Sequence, residues 1–530
     1  MKRLLNRFAP TGSAVLLAAL TAALLIAAAG CDITTLNDNP NQPPESETPK
    51  LLSNAQNQIA NTYWQDYPSG FWIRYAQYWT TNQYTDGDRY RYASSRPASL
   101  NGLWEDYYLA LNDLQEIIRK NQNPTQETLA FGAASNQIAI AKIMQAWTLQ
   151  VMTDMWGPIP LDEALQGRES LEDEEGVFTP SYTQQEQVYT AIIDSLSSAS
   201  DMIDASGTAL ASGDLIYGGD MSKWKKFANS LKMRAAMRIS DRKPDVAATA
   251  VEEAVEAGPF ESNDDNPLLE FTTPPYQNPF YENYEVEGRD DWAATESIVS
   301  IMNENEDPRR PAYFADANSD TPDEEFNGLP YGLPGGQAQR LFTDPGTNFS
   351  GPSQDVRTAS SPTIFMLYDE VLFIKAEAAL RSDMDVSNID DDGEDLYRDA
   401  IRASMDYWGV PDEGAVDDYL DEVETPTEDN YEQVLGVQKW IAQYLQGVQG
   451  WSTWRRMDFE GVFQIPPGND AVARFGCPIA IRMVYPNDES TLNQSNLNDA
   501  INDFLSGDGA ASDDQGVKLW WDTEAPICQN

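Results

Sequence analysis

Between Trp72 and Tyr92 the chain carries seven aromatic side chains, with Asp86, Asp88 and Arg89 set among them. Flat rings stack on sugar faces or hold peptide side chains, and a neighbouring carboxylate or guanidinium adds oriented hydrogen bonds. Trp72, Tyr75 and Trp79 are spaced 3 and 4 apart and read first as the core face of a helix. Tyr84, Arg89, Tyr90 and Tyr92 fall in the Gly-containing run YTDGDRYRY. There, contact with a ligand and simple surface packing are both open. A second aromatic run, YQNPFYENYEVEGRDDW over 276–292, mixes rings, amides and charges in the same way. Asp290 or Asp291 also reads as the cap of a helix starting near Trp292.

Other spacings are weaker. Asn388, Asp390 and Asp392 before Gly393, with Asp399 beyond, have the spacing of a calcium loop. The closing residue is Asp where a bidentate Glu is usual, so the run reads as a solvated loop with a helix cap, and no metal is expected. The Gly-rich run Tyr331–Gly336 lacks the Lys-Ser/Thr of a phosphate cradle and reads as a turn-rich loop. Trp451, Trp454, Arg455 and Arg456 read as Arg stacked on Trp with buried carboxylate partners.

Composition removes whole classes of chemistry. The chain has no histidine, so Ser-His-Asp and Cys-His nucleophiles, HExxH zinc sites and His bases are all excluded. A glycoside hydrolase using a carboxylate pair remains as the alternative reading, and 85 acidic residues give no means of choosing the pair. No cofactor is expected. With 35 basic residues the net charge is −50, which makes nucleic acid a poor partner. The acidity is spread along the chain and reads as a surface adapted to high salt.

The N-terminus sets a location. Lys2, Arg3 and Arg7 precede an apolar run, Val15 to Ala29, and Ala28-Ala29-Gly30 lead into Cys31. This is a lipoprotein signal peptide over 1–30, with Cys31 as the lipidated (palmitate-bearing) first residue of the mature chain. Residues 31–50 are polar and Pro-rich, a tether that holds a body at a membrane surface. Cys477 and Cys528 are the two remaining cysteines, and an exported location favours their pairing.

The elements that must position these residues are mostly helical. Ile140, Met144, Trp147, Val151 and Met155 recur at spacings of 4, 3, 4 and 4, one apolar face of a helix stopped by Gly157, Pro158 and Pro160. Trp156 stands at its end. Further helices are expected at about 50–64, 70–80, 101–121, 126–156, 182–204, 221–240, 244–257, 291–304, 364–382, 394–408, 414–422, 428–446 and 450–458. Strand alternation is scarce. The fold class is all-α dominated: a tetratricopeptide-like helical-repeat scaffold with little β, forming a single domain over 51–530. Long irregular loops at 81–99, 258–290 and 305–362 wrap it.

The segments just described resemble a known family. Ala141-Lys142, Ala146-Trp147, Thr153-Asp154, Trp156-Gly157, Pro160 and Glu163-Ala164-Leu165 resemble the signature helix of SusD/RagB-like outer-membrane nutrient-binding lipoproteins. Leu36 to Asn41, Asp307-Pro308-Arg309, Tyr368 to Ala379, Trp451 to Arg456, and Pro478 to Asn493 follow in that family's order. The resemblance is to the subgroup without an assigned sugar. It implies a binding protein and not an enzyme, lipid-anchored in the outer membrane and facing the exterior. Such a protein captures an oligosaccharide or peptide and covers a SusC-like TonB-dependent transporter as a lid. It further implies that Asn278, Tyr281 and Arg289 lie on the ligand-facing side, with Tyr84, Arg89, Tyr90, Tyr92 and Trp156 near them.

Overall fold

The computed structural model describes residues 46–64, 71–91, 97–166, 177–317, 326–344, 347–468, 479–505 and 512–523. Cys31, Tyr92, Cys477 and Cys528 lie outside the described residues, as do the signal peptide and most of the tether. The chain divides after Glu47, and every element below belongs to the unit that starts at Thr48.

Helices dominate that unit. They are α1 (Thr48–Trp64), α2 (Phe71–Tyr75), α3 (Pro97–Gln122), α4 (Gln126–Leu129), α5 (Ala134–Trp156), α6 (Gln185–Met202), α7 (Met221–Arg238) and α8 (Pro244–Ala257). After the short α9 (Pro279–Tyr281) come α10 (Glu296–Glu304), α11 (Arg310–Tyr313), α12 (Gly335–Phe342), α13 (Tyr368–Leu380) and α14 (Gly393–Tyr407). The chain ends through α15 (Glu413–Glu422), α16 (Tyr431–Ala442), α17 (Gly447–Met457), α18 (Asn487–Leu492) and α19 (Gln494–Phe504). Helices α1, α3, α5, α6, α7 and α8 each pack on the next in chain order, the tetratricopeptide-like arrangement expected. Helices α13, α14, α16 and α17 form a second stack, joined to the first where α13 meets α7 and α17 meets α2 and α5.

The signature helix α5 is buried on more than one face. Every residue from Ala146 to Pro160 is buried. An apolar stripe on one side is therefore too narrow a description: a helix enclosed all round has to be apolar or internally satisfied on every face. Two of its polar members show how such groups are satisfied, one within the helix and one across the fold. Thr148 donates to the Met144 carbonyl at 2.8 Å, and Trp147 Nε1 donates to the Phe365 carbonyl at 2.9 Å. Gly157 stops the helix with φ +88°, a conformation that costs glycine little.

Three expected helices are altered for identifiable reasons. The stretch 126–156 is two helices, because Gly132 turns with φ +116° where a Cβ would lie 2.5 Å from the Thr208 carbonyl oxygen. The stretch 70–80 stops at Tyr75. Gln77 takes φ +57°, and Trp79–Thr81 becomes strand β1. The stretch 291–304 begins as strand β5 (Trp292–Ala294), and α10 starts only after Thr295, whose Oγ1 accepts from Ile298 N. Neither Asp290 nor Asp291 is the cap. We expect Thr295→Ala to lower stability by about 1 kcal/mol, read as a shift in the urea midpoint at unchanged slope.

Strand content is small but its placement matters. β1 pairs antiparallel with β5, Trp79 facing Ala294 and Thr81 facing Trp292. Two further ribbons pair β2 (Ile159–Pro160) with β3 (Tyr182–Thr183), and β4 (Leu268–Leu269) with β6 (Thr363–Ile364).

Candidate ligand-binding face

The β1–β5 ribbon brings the two aromatic runs together. The chain leaves β1 at Asn82, whose N–H donates to the Asp291 carbonyl at 2.9 Å, so residues 82–91 lie beside residues 289–291. There Tyr84, at φ +54°, stands 49 % exposed, and the Arg289 guanidinium lies 5.2 Å from its ring centre. Arg289 is held in turn by the buried carboxylate of Asp291, 3.3 Å from Nε. A half-exposed ring beside a cation can stack on the apolar face of a sugar, while the partly exposed Arg289, oriented by Asp291, offers hydrogen bonds near its edge.

The turn under Tyr84 is built from buried charge. Asp88 accepts from Thr80 Oγ1 at 3.0 Å and from Thr81 N at 3.1 Å, and faces Arg74 at 3.4 Å. Burial raises the Asp88 pKa, opposed first by Arg74. Gly87 lies against that guanidinium, where a Cβ would come within 2.4 Å of it. The turn therefore cannot accept a side chain at Gly87 without displacing Arg74.

The remaining candidates are placed as follows. Arg89 is buried and donates to the carbonyls of Gly332 at 3.0 Å and Pro467 at 3.1 Å. Tyr90 is buried, edge-on to Tyr75 at 5.0 Å, and its hydroxyl accepts from Gln77 Nε2 at 3.3 Å. Burial raises its pKa. These two side chains tie residues 331–336 and 464–468 to the Tyr84 turn; they support the face from beneath. Asn278 is fully buried. Its Oδ1 accepts from Phe280 N at 2.7 Å and Tyr281 N at 3.1 Å, capping α9, while Nδ2 donates to the Ser361 carbonyl. Tyr281 is half-buried on α9.

Trp156 has no exposed surface. Its Nε1 donates to the Val484 carbonyl at 3.0 Å, and Trp104 meets it edge-on at 5.0 Å. Its role is in the scaffold, and in this structure its ring is closed to a ligand. The Trp-Arg cluster is also internal. Arg455 lies 3.7 Å over Trp451, and Arg456 meets Glu377 at 2.6 Å. The 388–399 loop is held by protein: Asn388 Nδ2 donates to the Glu252 carbonyl at 2.8 Å, and Asp392 caps α14. Among the described residues no three His, Cys, Asp or Glu side chains are grouped to hold a metal ion.

One pair was missed by sequence reasoning. Tyr284 sits in the π-helical turn Glu282–Val286, and the Arg357 guanidinium lies 4.6 Å over its ring while pairing with Glu285. The available signal was the spacing of 3 from Tyr281 to Tyr284, which puts both rings on one side of a helical turn. Arg357 lies in no motif and could not have been found.

Residues 40–486 match the model of a SusD-like family described as "Starch-binding associating with outer membrane". Among solved structures, a protein described as chitin-binding superposes with a TM-score of 0.74 at 24 % identity, over 90 % of this chain and 100 % of that one. A SusD homologue from Bacteroides uniformis gives 0.71 at 24 %, over 89 % and 99 %. A chitin-binding SusD homologue from Flavobacterium johnsoniae gives 0.71 at 23 %, over 90 % and 99 %. At these identities the likeness is one of fold. No curated protein matches the chain.

Proposed function

The chain belongs to the SusD-like family, and on that premise we propose that it captures an oligosaccharide at the outer membrane and passes it to a SusC-like TonB-dependent transporter, over which it acts as a lid. The observation that carries the reading is the Tyr84–Arg289 stack, an exposed ring on a charge-locked turn where two long loops meet. Polysaccharide binding by similarly folded proteins, named for starch or chitin, supports a sugar over a peptide. The chain acts by binding and releases its ligand unchanged. Lipid on Cys31 and the tether beyond it hold the body at the cell surface. No helix among the described residues is long and apolar enough to cross a membrane.

Binding is tested with the mature chain, in molar salt to screen its charge, by calorimetric titration with malto- and chito-oligosaccharides. Tyr84→Ala is expected to weaken binding about tenfold, the worth of one ring contact. Wild-type affinity in that variant, or new reducing ends in the wild-type mixture, would sink the reading. Its transporter half is tested by purification from native membranes, where a large barrel is expected to accompany the protein.

A further inference from the structure

A second groove lies along the side of α1, built from residues none of which belongs to the Tyr84–Arg289 face. Lys50, Ser53, Asn54 and Asn57 follow at i, i+3, i+4 and i+7, so one wall is a polar stripe of a single helix. The opposite wall is the segment 269–276, which ends at Tyr276. The cavity between them measures about 610 Å³, within the range of small-ligand sites.

The walls are fixed in place. Asn54 Nδ2 donates to Asp113 at 2.7 Å, and Asn57 Oδ1 accepts from Asn61 at 2.9 Å. Leu215, on the rim, is pinned by its N–H to Gln56 Oε1 at 2.7 Å. Across the groove, β4 is paired with β6, and the turn beyond is closed by Thr272 N to the Tyr276 carbonyl at 2.9 Å and Tyr276 N to the Thr273 carbonyl at 3.2 Å. That turn holds the Tyr276 ring 66 % exposed, with no other ring stacked on it among the described residues. An exposed, unstacked ring held on a closed turn is available to a flat apolar partner.

We propose that this groove is a second saccharide site, in which a neutral sugar stacks on Tyr276 and sets its hydroxyls against the amide and hydroxyl stripe of α1. Lys50 and Glu270, one of each sign, offset each other in the lining, so no net charge selects an ionic ligand. A sugar ring matches the pattern of one bare aromatic face opposed by neutral hydrogen-bonding groups. The groove does not depend on the Tyr84 face binding anything.

Titrations of the mature chain with maltoheptaose and chitohexaose in molar salt decide the matter, using Tyr84→Ala, Tyr276→Ala and Asn57→Trp, the last to fill the groove. With the first site weakened about tenfold by Tyr84→Ala, the tighter of the remaining saccharide binding events is expected to fall about tenfold on adding Tyr276→Ala and to vanish on adding Asn57→Trp. Residual binding untouched by both additions overturns the proposal. So does binding lost wholly with Tyr84→Ala, which would leave the first site standing. Sensitivity to Tyr276→Ala alone would do the reverse. Binding of a tryptic peptide pool, but no saccharide, that Asn57→Trp abolishes would also overturn it.

Discussion

Replacing Arg234 with methionine is expected to lower the unfolding free energy by roughly 3–5 kcal/mol, read from urea denaturation followed by tryptophan fluorescence. Arg234 and Glu370 form a two-point pair between α7 and α13, with Nε to Oε1 at 2.8 Å and Nη2 to Oε2 at 2.5 Å, and Nη1 also donates to the Phe365 carbonyl at 3.0 Å. Both side chains are almost wholly buried. Removing the cation strands a carboxylate in a dry interior, and the desolvation already spent on it is no longer returned. Arg234→Met with Glu370→Leu should recover most of the loss, because two apolar side chains carry no such penalty. A double variant as unstable as the single one would show that the pair fixes the α7–α13 packing by more than charge.

This pair belongs to a larger buried array. Arg456 pairs with Glu377 at 2.6 Å and Arg381 with Asp241 at 2.6 Å. Lys439 lies buried among them with its pKa lowered to about 8 by burial, against the pull of Glu377 and Glu370. Inside, Glu370, Glu377 and Asp307 are each matched to an arginine.

How much of this could be read beforehand depends on what carries the signal. Helix α5 was legible because its apolar residues repeat over four turns and a Gly-Pro run ends it. The stack of helices was legible for the same reason. The β1–β5 ribbon was not, since three residues per strand give no alternation to detect, and each strand is fixed by a partner more than two hundred residues away. Tyr84 and Tyr90 show the limit at the site. Both lie in one aromatic run and both take positive φ, yet one is exposed and the other buried, because Tyr75, Gln77 and Tyr331 surround Tyr90. The surroundings come from distant segments, and local spacing is silent on them. Asn278 was picked out as a binding amide by resemblance; its two bonds to the start of α9 explain its type without any ligand.

Stability is expected to be greatest near pH 5 and to fall toward pH 8, with Asp369 as the main cause. Asp369 is buried beside Glu370, and neither of its oxygens makes a hydrogen bond of ordinary geometry. Burial, then repulsion from Glu370, raises its pKa to about 8, while Arg309 and Ser404 oppose the rise. The folded chain therefore keeps a proton that the unfolded chain releases near pH 4. Stability from this group is complete below that value and drains away as pH rises, by at most about 1.4 kcal/mol per unit, or roughly 4 kcal/mol between pH 5 and pH 8. Asp522, raised to about 7 by burial, acts in the same direction. Glu370 and Glu377 set the acid side. Arg234 and Arg456 hold their carboxyls low against burial, so their contribution is lost as pH falls below the usual carboxylate range. Lys439 sets the alkaline side: the folded chain gives up its proton near pH 8, before the unfolded chain does, so stability partly recovers above that point. The growing negative charge of the whole surface also weakens the fold as pH rises, which would blur any single curve. Asp369→Asn removes this ambiguity, because it keeps the shape and polarity of the protonated acid and changes the total charge by one in fifty. Denaturation midpoints at pH 5, 6.5 and 8 in fixed salt should converge with the wild type at pH 5 and lie clearly above it at pH 8. Parallel curves for the two proteins would mean that Asp369 is already ionised in the folded chain, and that general surface repulsion sets the slope.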